Sequence, residues 1–150
     1  IGMNVLFTDK FVGKTQINLN LANDKKISFD LESSDITELL KNSDFVSLQV
    51  TAQKSYVIGK NELYLMKTGA GLINAARGGV VDEKSLIESL DSGKLAFAGV
   101  DTFENEPKPS VKLLMHPKVS LTPHIGAATN EAQDRIGIEL ANQIMKLVKE

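Results

Sequence analysis

Short apolar runs alternate along the chain with segments in which apolar residues recur every three or four positions. The short runs predict β-strands, and the longer spacing predicts amphipathic helices. The predicted strands cover residues 5–7, 27–29, 45–50, 72–75, 96–100 and 119–121. Because helical patterns separate most of these strands, the sequence predicts an α/β fold with a doubly wound parallel sheet and helices on both faces.

Capping residues predict where several of these helices begin and end. Asp35, with Glu38 three positions later, is typical of a helix start. Asp82 is a second predicted N-cap, and Gly93 is expected to end the helix that follows it. A further short helix is predicted over residues 60–67.

The last predicted helix covers residues 130–150. Asn130 and Gln133 resemble a capping box at its start. Its apolar positions recur at helical spacing, at Ile136, Leu140, Ile144 and Leu147 or Val148. Residues 10–26, rich in Asn and Lys, give no clear pattern.

The composition excludes several classes of function. Of the 150 residues 42% are hydrophobic and 24% charged, which is typical of a folded globular protein. The net charge of −2 argues against a nucleic-acid-binding surface. Because cysteine is absent, disulfides, thiolate catalysis and cysteine-ligated metals are excluded, and no metal site is predicted. The longest apolar run, residues 95–100, is too short to span a membrane.

The chain begins at Ile1, with neither an initiator Met nor a signal-peptide pattern. Met3 is an unsuitable start because the predicted strand over residues 5–7 follows it almost at once. We therefore expect the chain to be a piece of a longer protein.

Polar residues directly after the predicted strands are the candidates for chemistry, because ligands of parallel α/β sheets lie beyond the carboxyl ends of the strands. These candidates are Asp9, Gln49 to Thr51, Asn74 to Gly79, Asp101 to Pro107 and Thr122 to Ala127.

Asp9 follows the first predicted strand. An acidic residue at such a place hydrogen-bonds the ribose hydroxyls of NAD and repels a 2′-phosphate. A plain Asp at a strand end would look the same. The glycine fingerprint that usually accompanies the acidic residue lies about 20 residues earlier, which would be before Ile1.

Arg77 lies in a run rich in Ala and Gly after the fourth strand. Its guanidinium offers a fixed fork of donors that suits a carboxylate, although a surface Arg in a glycine-rich turn is the alternative. The stretch from Asp101 to Pro107 holds three carboxylates, which could be metal ligands, acid–base groups or a solvated turn.

His124 follows the last strand and could be a general acid–base group if a carboxylate lies nearby. A single His is more often structural, and His116, in a loop, is interpreted as structural. Together, however, the strand ends place a cation, a carboxylate and a His at one sheet edge. That set suits a 2-hydroxy or 2-oxo acid, with Arg for the acid group, His for the proton and a dinucleotide for the hydride.

Three runs carry a resemblance to the D-2-hydroxyacid dehydrogenase family. They are LINAARGGVVD at residues 72–82, DTFENEP at 101–107 and TPHIGAAT at 122–129. In combination they are highly specific, and the similarity extends over nearly the whole chain. The last run, continued by Glu131-Ala132-Gln133, is most similar to 3-phosphoglycerate dehydrogenases of that family.

The resemblance implies a catalytic set of Arg77, Glu106 and His124. In the family the Arg of the AARGG-type run grips the substrate carboxylate and carbonyl. The Glu of the Glu-Pro pair orients the catalytic His and favours its protonated form, so that role falls to Glu106 and not to Glu104. The His of the Pro-His pair, here His124, is the proton donor.

The resemblance also implies NAD as cofactor, and Asp101 as the residue that holds the nicotinamide carboxamide. The implied cofactor contacts are Asp9, Val50, Thr51, Ala75, Arg77, Asp101, His124 and Gly126. Gln49-Val50-Thr51 stands where the family usually has His-Val-Pro. Because proline has no backbone N–H, Thr51 offers a free N–H that the family's Pro does not. Thr102 replaces a common Val, a change from which no consequence is expected.

The family's domain plan implies that residues 1–150 are the C-terminal part of a nucleotide-binding domain. The first strand, the glycine fingerprint and the substrate domain would then lie outside this chain. Alone it is expected to bind NAD poorly and to be inactive.

The longer protein would be a cytoplasmic homodimer that takes a small 2-hydroxy or 2-oxo acid, with neither a nucleic-acid nor a membrane partner. Its reaction would be hydride transfer between NAD(H) and that acid. An NAD(H)-sensing corepressor-like protein of the same fold is the alternative, and a non-catalytic remnant is a third possibility.

Overall fold

A four-stranded parallel sheet forms the centre of the molecule in a computed structural model that describes residues 2–21 and 25–148. Its strands are β3 (Phe45–Leu48), β4 (Ala70–Asn74), β5 (Leu95–Val100) and β6 (Val119–Leu121), and they lie side by side in that order. The predicted α/β fold with a parallel sheet is confirmed, and the architecture is Rossmann-like.

Four helices connect these strands or pack near them, and they begin largely where the capping residues predict. They are α1 (Ile36–Asn42), α2 (Lys60–Leu65), α3 (Glu83–Asp91) and α4 (Val111–Leu114). The Asp35 and Asp82 carboxylates accept hydrogen bonds from the first-turn amides of α1 and α3, which confirms both as N-caps. Gly93, at φ 77°, follows the end of α3 as predicted, because glycine takes this left-handed conformation without steric cost.

The core lies between the sheet and the helices. Apolar side chains from β3, β4 and β5 pack there against residues of α1 to α4. Its largest fully buried apolar side chains are Leu40, Ile58, Leu63, Met66, Leu72, Leu86, Leu90, Leu95, Leu113 and Val80. The site loops emerge from the strands that this core supports.

A separate antiparallel hairpin occupies the stretch that gave no clear sequence pattern. It consists of β1 (Lys14–Asn20) and β2 (Lys26–Glu32), with Ile17 opposite Phe29 and Leu19 opposite Ile27. The predicted strand over residues 27–29 therefore exists, but its assignment to the parallel sheet is wrong. Local alternation of polar and apolar residues pairs β2 with β1 instead.

The predicted strand over residues 5–7 is also wrong. Only Phe7 pairs, in one parallel bridge with Ser33. A strand needs a ladder of backbone partners, and the described residues provide that ladder on neither side of Val5 and Leu6. On the facing side, β3 is the edge of the described sheet.

The long helix α5 (Asn130–Val148) begins where predicted, but its cap differs. Thr129 Oγ1 accepts from the Ala132 amide, so Thr129 holds the first turn and the Asn130–Gln133 capping box is wrong. The predicted apolar stripe exists but is exposed, at Ile136, Leu140, Ile144, Leu147 and Val148. Of the described α5 residues only Ala132 is buried, and positions 149–150 lie outside the described residues.

Candidate active site

Three loops emerge side by side at the carboxyl edge of the sheet. In the register of the strands, Asn74 pairs with Val100, and Val100 pairs with Leu121. The loops that follow β4, β5 and β6 therefore start as neighbours, and they carry Arg77, Glu106 and His124 respectively.

His124 and Glu106 form a hydrogen-bonded pair. The distance from His124 Nδ1 to Glu106 Oε2 is 2.9 Å, and the imidazole and the carboxylate are 45% and 36% exposed. The other oxygen, Glu106 Oε1, accepts from the Phe103 amide at 2.9 Å. The bond from His124 and the bond from Phe103 hold the pKa of Glu106 below its usual range. With Nδ1 turned to Glu106, Nε2 is the ring nitrogen left for a ligand.

Asp101 anchors the loop that carries His124. Its Oδ1 accepts from Thr122 Oγ1 at 2.6 Å and from the Ile125 amide at 2.9 Å, and its Oδ2 accepts from the Gly126 amide at 3.2 Å. Burial raises the pKa of Asp101, but these hydrogen bonds outweigh that effect and leave the pKa below its usual range. Asp101 therefore stays ionised and keeps the loop closed at neutral pH.

This anchor explains an unusual backbone conformation at His124, whose φ is 55°. A non-glycine residue in the left-handed region is strained, and such strain persists only where the surroundings hold it. The two amides after His124 both donate to Asp101, which fixes the turn.

The loop that carries Arg77 is closed by Asn74. The Asn74 side chain accepts from the Ala76 amide at 3.2 Å and donates to the Arg77 carbonyl at 3.2 Å. Arg77 itself is exposed, and its Nη1 donates to the Ala76 carbonyl at 2.6 Å. The guanidinium keeps further N–H groups with which to bind an anion.

Direct contact joins the Arg77 loop to the Glu106 loop at Gly78. A Cβ added there would overlap the Phe103 carbonyl, so only glycine allows this approach. The same Phe103 residue donates its amide to Glu106, so the two loops are packed as a unit.

A cleft of about 410 Å³ lies between residues 6–9 and strand β3, and both Asp9 and Val50 line it. Asp9 Oδ1 accepts from the Phe11 and Val12 amides at 2.7 and 2.9 Å, and these bonds lower the pKa of Asp9. Thr51 is exposed beside the cleft, where Gln53 donates to its carbonyl at 3.0 Å.

These residues fit a dinucleotide. Asp9 places an ionised carboxylate in the lining of the cleft, which suits ribose hydroxyls. Asp101 Oδ2 accepts a single hydrogen bond from the described residues and so has room for one ligand N–H. Ala75 and Gly126 are exposed and small, so neither residue obstructs a ligand at the carboxyl edge of the sheet.

Sequence reasoning missed several residues that hold this site. Asn74 and Thr122 were seen only as members of their runs, although they close one loop and anchor another. Thr122 could have been noticed as a hydroxyl residue two positions before the candidate His124. The sequence alone does not show that this hydroxyl donates to Asp101. Thr102 has a consequence that was not expected, because its buried Oγ1 has no hydrogen-bond partner among the described residues.

Comparison with known proteins decides the family. The family model described as "D-isomer specific 2-hydroxyacid dehydrogenase, NAD binding domain" matches residues 1–126. The chain belongs to this family. NAD is the cofactor that this domain family binds, and the predicted resemblance is confirmed.

The chain is similar to D-3-phosphoglycerate dehydrogenase of Methanocaldococcus jannaschii, with 39% identity over 99% of this chain and 27% of that protein. Among solved structures it is similar to a glyoxylate reductase from Paecilomyes thermophila, with TM-score 0.71, 37% identity, and coverage of 80% of this chain and 37% of that one. It is also similar to D-lactate dehydrogenase from Aquifex aeolicus complexed with NAD and lactic acid. There the TM-score is 0.64 and the identity 34%, over 79% of this chain and 41% of that one.

The chain thus spans between a quarter and a half of the length of these relatives. All three are named as enzymes, so the corepressor alternative gains no support. Over residues 2–21 and 25–148, no helix combines the length and apolar character needed to cross a bilayer. Within the same ranges, no group of three His, Asp or Glu residues is placed to hold a metal ion.

Proposed function

We propose that the full-length protein is an NAD-dependent D-2-hydroxyacid dehydrogenase whose catalytic residues are Arg77, Glu106 and His124. The observation that carries this proposal is the 2.9 Å bond from His124 Nδ1 to Glu106, in a loop anchored by Asp101. An imidazole oriented by a carboxylate, with its other nitrogen free, is the arrangement expected of a general acid–base group.

NAD(H), when bound, supplies or accepts the hydride at C2 of the acid. During reduction of a 2-oxo acid, His124 Nε2 donates a proton to the substrate oxygen, and Glu106 balances the charge of the imidazolium beforehand. The Arg77 guanidinium binds the substrate carboxylate and stabilises negative charge that develops at the carbonyl oxygen. Oxidation reverses these proton movements.

The cofactor contacts in this proposal are those that the resemblance implies. Asp9 binds ribose hydroxyls at the cleft, with Val50 and Thr51 beside it. Asp101 would hold the carboxamide, and Ala75, Arg77, His124 and Gly126 would be the other cofactor contacts. The ionised state of Asp9 and the remaining acceptor capacity of Asp101 Oδ2 support this assignment.

The proposed substrate is D-3-phosphoglycerate, in serine biosynthesis. The similarity to a D-3-phosphoglycerate dehydrogenase over 99% of this chain supports this choice. Glyoxylate and pyruvate are the competing substrates, in view of the reductase and lactate dehydrogenase relatives.

We further propose a cytoplasmic homodimer with no nucleic-acid or membrane partner. The net charge of −2 supports the absence of a nucleic-acid surface. In the longer protein, residues 1–150 would form the C-terminal part of the nucleotide-binding domain.

Steady-state kinetics of the full-length protein test this function. We expect reduction by NADH of the 2-oxo acid that corresponds to D-3-phosphoglycerate at a higher kcat/KM than reduction of glyoxylate or pyruvate. His124→Ala should lower kcat by about 10²–10⁴-fold, because a positioned proton donor contributes that much. His116→Asn is the matched control, since this second His bonds Asp91 and the Lys118 amide outside the site.

Absence of turnover with every one of these acids would contradict the proposed function and favour a binding role. Equal losses of kcat in the His124 and His116 variants would contradict the assignment of His124.

A further inference from the structure

Two glutamates join the N-terminus of helix α3 to the loop that carries Glu106. We call this hydrogen-bonded pair, Glu83 and Glu104, the clasp. The Glu83 amide donates to Glu104 Oε1 at 2.9 Å, and the Glu104 amide donates to Glu83 Oε1 at 2.8 Å. Each residue therefore caps the backbone of the other across 21 positions of sequence. A reciprocal pair of this kind fixes both the separation and the relative direction of the two backbone segments.

The clasp is largely removed from solvent on the Glu83 side, where the residue is 7% exposed. Burial raises the pKa of Glu83, the Glu104 amide counteracts this, and the charge of Glu104 adds to the rise. Buried carboxylates are rare unless they are hydrogen-bonded, so a specific contact must offset this cost. The positive end of the α3 dipole lies beside both carboxylates and favours them there.

The clasped backbone leads directly to the catalytic pair. Glu104 lies next to Phe103, whose amide donates to Glu106 Oε1 at 2.9 Å. Glu106 Oε2 in turn bonds His124. Residues 103–106 are held at two points, by the clasp at Glu104 and by the Gly78 contact at Phe103.

We propose that Glu83 is a positioning residue, which acts through Glu104 to hold Glu106 in bonding distance of His124. This role rests on the proposed function. Glu83 itself touches neither Glu106 nor His124 in the observed hydrogen bonds, so loss of the clasp affects the chemistry by displacing the loop.

Variants of the full-length protein separate this role from simple stabilisation. Glu83→Met keeps the length of the side chain but cannot accept from the Glu104 amide. Glu83→Gln keeps an acceptor oxygen and removes only the charge. Ser85→Ala weakens the Asp82 cap in the same turn of α3, where Ser85 Oγ bonds Asp82 at 2.6 Å, and it leaves the clasp intact.

We expect Glu83→Met to lower kcat by about 10–100-fold, because small misplacement of catalytic groups costs up to about 10². The KM for NAD should stay within about threefold, since Asp9 and Val50 lie on another part of the sheet edge and Asp101 is held by its own bonds to residues 122–126. Glu83→Gln should restore kcat to within about threefold of the wild type, and Ser85→Ala should keep it.

Hydrogen exchange of the peptide that contains residues 103–106 gives a second measurement, which needs no activity. Glu83→Met should speed exchange there, and Glu83→Gln should not. If Glu83→Met does not fold, Glu104→Met removes the acceptor for the Glu83 amide and tests the clasp from its more exposed side.

Wild-type kcat and wild-type exchange in folded Glu83→Met or Glu104→Met would overturn the proposal. It would also be overturned if Ser85→Ala lowered kcat as much as Glu83→Met, or if Glu83→Gln gave no recovery. If the wild-type protein turned over none of the acids, the proposed function would fail, while the exchange measurement would still decide whether the clasp holds the loop.

Discussion

At the scale of single residues, Thr102 buries a hydroxyl that has no partner among the described residues. It is 1% exposed and directly follows Asp101. A buried donor without a partner costs about 1–3 kcal/mol. We therefore expect Thr102→Val, which keeps the shape of the side chain, to raise the free energy of unfolding by roughly that amount. Urea unfolding of the full-length protein measures the change.

Thr122→Val is the matched control for this prediction. It removes a hydroxyl that donates to Asp101 at 2.6 Å, so it should lower the free energy of unfolding. A Thr102→Val protein that unfolds at lower urea than the wild type would show that the Thr102 hydroxyl is satisfied in solution.

The sequence predicted which side chains lie together at this sheet edge better than it predicted how their loops are held. The positions of Arg77, Glu106 and His124 after successive strands were readable, because parallel strands bring their carboxyl ends together. The anchoring bonds of Asp101 were not readable, because they depend on the left-handed turn at His124. No residue type in this run predicts a left-handed conformation at His124, because such a conformation is rare outside glycine.

At the scale of elements, contact between two loops rests on Gly78. We expect Gly78→Ala to lower kcat by about 10²-fold, because the added Cβ overlaps the Phe103 carbonyl and pushes the Arg77 and Glu106 loops apart. It should also destabilise the protein by about 1–3 kcal/mol, as overpacking does. Kinetics and thermal unfolding of the full-length protein measure both effects.

Gly79→Ala serves as the control. Gly79 has φ 75° and open space around its Cβ position, so this variant carries backbone strain of about 1–2 kcal/mol without a clash. Its kcat should stay close to that of the wild type. If both variants lost kcat equally, strain in the turn, and not the contact with Phe103, would explain the loss.

The elements themselves were predicted well where one signal dominated. Helix starts at Asp35 and Asp82 were correct because a side-chain cap acts within one turn. The β1–β2 hairpin was missed although apolar residues alternate with polar ones through both strands, as at Ile17 and Leu19. The alternation of polar and apolar residues could have identified this hairpin, but the many Asn and Lys residues favoured a loop.

At the scale of the whole molecule, the proposed cofactor site draws on parts of the chain that are far apart in sequence. Asp9 and Val50 line the cleft, and Asp101 lies beyond β5. We expect the full-length protein to prefer NAD to NADP, because the Asp9 carboxylate repels a 2′-phosphate. Solvent screens charges at this exposed position, so we expect a preference of several-fold in kcat/KM.

Asp9→Asn isolates this charge effect, because the amide oxygen still accepts from the Phe11 and Val12 amides. The ratio of kcat/KM for NAD to that for NADP should fall several-fold. Asp82→Asn, at the cap of α3, which does not line the cleft, should leave the ratio unchanged. Equal use of both cofactors by the wild type would contradict the role of Asp9.

The apolar stripe of α5 shows the limit of predicting the whole molecule from periodicity. The helical spacing of Ile136, Leu140 and Ile144 predicted a helix, and the helix is present. Periodicity does not reveal what a stripe packs against, and here these side chains are exposed in the described residues. The same limit applied to residues 5–7, where an apolar run alone did not make a strand.

The central claim is that Glu106 and His124 together carry the proton transfer, and the pH dependence of kcat in Glu106→Gln tests it most directly. The lowered pKa of Glu106 keeps this carboxylate ionised into mild acid, so a negative charge lies 2.9 Å from His124 Nδ1 throughout the neutral range. Glu106→Gln removes that charge and keeps an acceptor oxygen beside the imidazole. For the reduction of a 2-oxo acid by the full-length protein, the pH at which kcat falls should therefore move down by about one unit or more. Glu88→Gln, on the exposed face of α3, should not move it. A profile of Glu106→Gln that superimposes on the wild type would contradict the account.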